Sequence, residues 1–125
     1  MKTLISSLAL FLLIVTSSFT IDAQQKLNEQ NSECFNYFRA HRQKKGVAMS
    51  WSVSTNNVVE FIVEKSYDDY YYEPSGNVPY TGGNSYKFVD NNVYPGYIYV
   101  RVTAVKSDGT TECSPVQRVR IVQRN

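Results

Sequence analysis

"YPGYIYVRVTAVKSDG", Tyr94 to Gly109, decides how the rest of the chain is read. Ile98, Val100, Val102 and Ala104 alternate with Tyr99, Arg101 and Thr103. A period of two over this length marks a strand with one face buried and the other wet. Asp108-Gly109 then supplies hairpin chemistry, so a further strand must fold back. "VQRVRIV" provides it, with Val119 and Ile121 facing in. The same alternation recurs upstream. "CFNYFRAH" reads as a first strand. "GVAMSWSV" places Val47, Met49, Trp51 and Val53 on one face. "VVEFIVEKS" sets Val59, Phe61 and Val63 against Glu60, Ile62 and Glu64. "SYKFVD" places Tyr86 beside Phe88. Helical period is absent over any ten residues. About seven short strands between turn residues predict an all-β, immunoglobulin-like sandwich with Trp51 as its largest core side chain.

The 125 residues suffice for one small domain. Residues 1–23 read as a secretory signal peptide: Lys2, a short apolar run from Leu4 to Val15, then small residues up to Ala23. That run is too short to span a bilayer, and no later segment is apolar enough to do so. Residues 24–33 read as a flexible polar leader, and 34–125 as the domain. The expected place is therefore the periplasm or the cell exterior. A formal net charge of +2 gives no case for nucleic acid. Cys34 and Cys113 are the only cysteines, and an even count in an exported chain predicts a disulfide.

Trp51, the run Phe61, Val63, Glu64, Lys65, Ser66 and Asp68, then Tyr86, Phe88 and Asp90, then Tyr99, Arg101, Val102, Asp108 and Gly109 form a recognisable set. Across Phe35 to Val122 the chain resembles the fibronectin type III module of secreted Bacteroidetes-type proteins. Asp69 stands where that module carries a glycine. The resemblance implies the fibronectin type III form of the sandwich and a spacer or binding role in the bacterial envelope. In that architecture the first strand starts at the pole where the last hairpin turns, which brings Cys34 towards Cys113.

Few residues offer catalytic chemistry. His41 is the single histidine, and no serine or cysteine nucleophile is placed to use it. Asp68, Asp69 and Asp90 do not have the spacing of a calcium loop. The chain is therefore expected to be no enzyme and to need no cofactor or metal. "DDYYY", Asp68 to Tyr72, reads as a turn followed by an edge strand. Arg39, His41, Arg42, Lys44 and Lys45 form a basic patch. It either grips an acidic polysaccharide or head-group surface or keeps an edge strand from pairing. Tyr99 and Arg101, with Ile62 opposite and Tyr71 or Tyr72 at the edge, form the expected binding face. The reading is an exported, non-catalytic binding or structural module with a protein or glycan partner. The alternative is an accessory carbohydrate-binding protein that uses exposed tyrosines.

Overall fold

A computed structural model describes residues 34–122; the signal peptide and the polar leader expected before them lie outside the described residues. Eight strands follow one another: β1 (Phe35–Gln43), β2 (Gly46–Val53), β3 (Val58–Ser66), β4 (Glu73–Pro79), β5 (Ser85–Asp90), β6 (Gly96–Lys106), β7 (Thr111–Cys113) and β8 (Gln117–Ile121). They form two antiparallel sheets. One has the order β1-β2-β5; the other runs β4-β3-β6, with β7 and β8 both paired to β6. The fold is a β-sandwich.

The strand read from "VQRVRIV" is present as β8, and a short extra strand, β7, precedes it, the two separated at Pro115, which has no N–H to give to a ladder. Ser114 repairs the gap. Its N–H donates to the Val102 carbonyl at 2.8 Å, and its Oγ accepts from the Val102 N–H at 2.9 Å.

The core follows the alternation of the strands. Trp51, Phe61, Val63, Ile98, Val100 and Val102 are fully buried between the sheets. The Trp51 ring meets Phe61 edge-on at 5.5 Å, and Phe61 meets Tyr86 at 4.6 Å. Tyr86 keeps its hydroxyl satisfied by donating to the Gly83 carbonyl at 2.8 Å. The register of β3 differs from the simple alternation at one end. A bulge between Val58 and Glu60 turns Val58 inward and leaves Val59 exposed.

The predicted disulfide is absent: Cys34 and Cys113 are both free. The two ends do share a pole, since the Cys34 N–H donates to Glu112 at 2.7 Å. Faces separate them. Cys34 belongs to the core cluster. Cys113 pairs with Thr103, on the outward phase of β6, and its Sγ lies 3.3 Å from the Thr103 hydroxyl. Glu112 has the inward phase that a disulfide would need.

Among the described residues, one ion pair joins the sheets. Lys65 from β3 donates to Asp90 of β5 at 3.0 Å and to the Asn92 carbonyl at 2.7 Å. Both side chains are about nine-tenths buried. The register places three connections at this same pole. The β1–β2 turn ends at Gly46, where an added Cβ would lie 2.5 Å from the Asp90 carbonyl oxygen and from the Asn91 side chain. The β5–β6 loop begins there, and Lys65 leads directly into the β3–β4 loop.

Candidate binding surfaces

The β3–β4 loop is built by Asp68. Its Oδ1 accepts from the Ser66 hydroxyl at 2.8 Å and from the N–H groups of Tyr70 and Tyr71, each at 2.9 Å. Those bonds favour the ionised carboxylate and hold its pKa below the usual range, the Tyr71 amide contributing most. Asp69 then takes a left-handed φ of 62°, a conformation that aspartate tolerates better than most residues and glycine best. So the turn expected at Asp68–Asp69 is present. The edge strand expected to start with the tyrosines begins only at Glu73. Tyr70 to Tyr72 instead stay in the loop, because three of its polar groups are bound to Asp68.

That placement leaves tyrosines in solvent. Tyr70 is 92% exposed, Tyr71 73% and Tyr94 70%. Tyr94 comes from the β5–β6 loop and packs on Tyr67, ring centroids 5.6 Å apart, while its N–H donates to the Tyr67 hydroxyl at 3.3 Å. Beside them lies a cleft of about 240 Å³ lined by Lys65, Ser66, Tyr67, Asp68, Tyr71 and Glu73. Tyr67 and Tyr94 are not singled out by sequence reasoning, since 27 residues separate them and only the sandwich brings them together.

The face expected around Tyr99 is partly assembled. Tyr99, Arg101 and Thr103 do share the outer surface of the β3–β6 sheet. The register sets Ile62 against Thr103, however, and Tyr99 against Ser66, so the expected Tyr99–Ile62 neighbourhood is not formed. Arg101 donates to Glu64 at 3.3 Å, and its guanidinium lies 4.0 Å from the centre of the Tyr72 ring. Glu64 also accepts from the Thr103 hydroxyl. Tyr72 donates its hydroxyl to Asp69 at 2.5 Å. Burial and that bond to Asp69 push the Tyr72 pKa well above the ordinary phenol range. Tyr71 is not part of this face and lines the cleft instead.

The basic patch lies on β1, an edge of its sheet, and on the β1–β2 turn. Arg39, His41, Arg42, Lys44 and Lys45 are all exposed. Arg39 stacks 4.6 Å from the Tyr37 ring centre. Asp90 is held by Lys65 and lies apart from Asp68 and Asp69, which belong to the β3–β4 loop. Among the described residues no three histidine, cysteine, aspartate or glutamate side chains converge as metal ligands. Nor is any helix there long and apolar enough to cross a membrane.

No protein-family profile matches the chain, and no curated protein matches it in sequence. Solved structures do share its shape. A pectate lyase of Erwinia chrysanthemi, crystallised with tetragalacturonic acid, superposes with a TM-score of 0.56 at 13% identity, over 65% of this chain and 27% of that one. A pectate lyase of Pectobacterium carotovorum gives 0.52 at 16% identity, over 72% and 28%. A β-1,2-glucanase of Parabacteroides distasonis gives 0.53 at 16% identity, over 76% and 13%. The chain thus spans little more than a quarter of the lyases and about an eighth of the glucanase. At such identities the likeness is one of fold: this chain is a β-sandwich of a shape also found within larger polysaccharide-acting proteins.

Proposed function

We propose that this domain is an exported, non-catalytic binding module of the bacterial envelope or exterior, and that its ligand is a glycan held by exposed tyrosines. The observation that carries the reading is the loop cleft with Tyr67, Tyr71 and Tyr94 around it. Sugar rings offer an apolar C–H face and a polar rim. A tyrosine offers an apolar ring with a polar tip, and its two side-chain torsions make ordering it inexpensive. Exposed aromatics gathered beside a cleft are more than a lone soluble domain needs. The neighbours in shape, two pectate lyases and a glucanase, are consistent with a partner role alongside polysaccharide chemistry.

A glycan array probed with the domain tests it. Signal on specific saccharides, lost in Tyr71→Ala and Tyr94→Ala while the melting temperature holds, supports the reading. A blank array, or signal indifferent to both substitutions, overturns it. Hydrolysis of the bound saccharide would contradict its non-catalytic part.

A further inference from the structure

The outer surface of β6 and β8 carries a second feature, separate from the loop cleft. Tyr97, Tyr99 and Arg101 face outward from β6. Arg120 sits opposite Tyr97 in register, and Arg118 opposite Tyr99. The Arg118 guanidinium lies 4.7 Å from the Tyr97 ring centre, diagonally across the ladder, just as Arg101 lies over Tyr72. Tyr97 is half-exposed, and Arg118 and Arg120 are exposed. Arg101 is neutralised by Glu64. Arg118 and Arg120 have no carboxylate partner among the described ion pairs. The strip is therefore a flat row of aromatic rings and guanidinium groups with a local positive excess, although the whole chain carries only +2. From Tyr97 to Arg101 it runs roughly 13 Å along the strand.

We propose that this strip binds an acidic polysaccharide, with Arg118 and Arg120 holding the carboxylates of uronic acid units and Tyr97 packing against a sugar ring. Guanidinium is planar and presents paired N–H donors that match a carboxylate. Stacking on Tyr97 pre-orients Arg118, so less side-chain entropy is lost when it binds. An extended, flat site suits a polymer lying across the sheet, whereas the loop cleft suits a chain end or a short segment. Charge complementarity selects the ligand: neutral glucans offer hydroxyls but no carboxylate to Arg118 and Arg120.

Affinity electrophoresis of the mature protein reads this directly, in gels holding alginate, dextran sulfate or neutral dextran. Alginate should retard the wild-type domain, and added salt should weaken the effect as charges are screened. Arg118→Gln with Arg120→Gln should weaken alginate binding by roughly tenfold or more, the worth of at least one lost charge-assisted bond. Arg118→Lys with Arg120→Lys should recover only part of it, because an ammonium lacks the fork. Melting temperatures should stay level, since both side chains are exposed. Tyr71→Ala and Tyr94→Ala should leave alginate retardation unchanged, which separates this strip from the loop site. No retardation by alginate overturns the proposal. So does equal retardation by neutral dextran. A loss produced by Lys44→Gln with Lys45→Gln, and not by the arginine pair, would move the site to the β1–β2 turn and overturn it as well. Retardation by dextran sulfate with none by alginate would contradict the carboxylate assignment.

Discussion

Two side chains show how environment sets reactivity in this domain. Cys34 is buried, and burial together with the nearby Glu112 carboxylate raises its thiol pKa, with Lys106 opposing the shift more weakly. Cys113 is half-buried on the outer surface. An aromatic disulfide reagent should therefore label Cys113 first in the folded protein, and Cys34 only on unfolding. Alkylation in denaturant without reductant should find two free thiols; finding none would restore the bridge that export and an even count suggested. Tyr72 is the second case. Its folded pKa is raised, so the folded state holds the phenol proton more tightly than the unfolded chain does. Stability from this source is complete below the unfolded phenol value of about 10 and is lost as pH climbs above it. Tyr72→Phe should thus melt somewhat below wild type near neutrality, where the bond to Asp69 is intact, and lose less between pH 10 and 12. Equal alkaline losses would contradict the assignment. The cysteines and Tyr72 also mark where sequence reading stops: phase along a strand is legible, but a turn in which Asp68 takes the amides of Tyr70 and Tyr71, or one residue of register, is not.

Among the strands, β3 and β5 carry the connection that fixes the two sheets at the loop pole. Lys65 and Asp90 belong to separate stretches of the resemblance, and the fold joins them as a buried pair. Removing one charge strands the other in a poorly solvated place. Asp90→Ala should cost about 3–5 kcal/mol, while replacing both with apolar side chains of similar volume should recover most of that loss. Chemical denaturation of the single and double variants decides it; a single variant as stable as wild type would contradict the burial. β4 meets β5 more closely still. A Cβ on Gly76 would fall 2.6 Å from the Phe88 ring, so Gly76→Ala should destabilise by about 1–3 kcal/mol through overpacking. A melting temperature unchanged by that substitution would show the two strands lie further apart. The strands themselves are well signalled by the sequence, because period-two alternation follows directly from the pleat. The bulge at Val58–Glu60 has no comparable marker, and it reverses the facing of Val59.

At the level of the whole domain, the sandwich is a scaffold whose two sheets bring distant loops to one pole. Ser66 and Asp90 end their strands together, and the β3–β4 and β5–β6 loops therefore meet. The all-β class and most of the core could be read from alternation, while the cleft could not, since it depends on which strands become neighbours. In the proposed function, the tyrosines left in solvent beside the cleft are its ligand-binding groups. An amide NMR titration with the saccharide that scores highest on the array tests this most directly. The account predicts the largest shift changes in residues 67–72 and 91–95, with the core strands nearly still and Tyr71 and Tyr94 among the side chains most affected. Changes confined to the opposite pole, around residues 54–57 and 107–110, would contradict it.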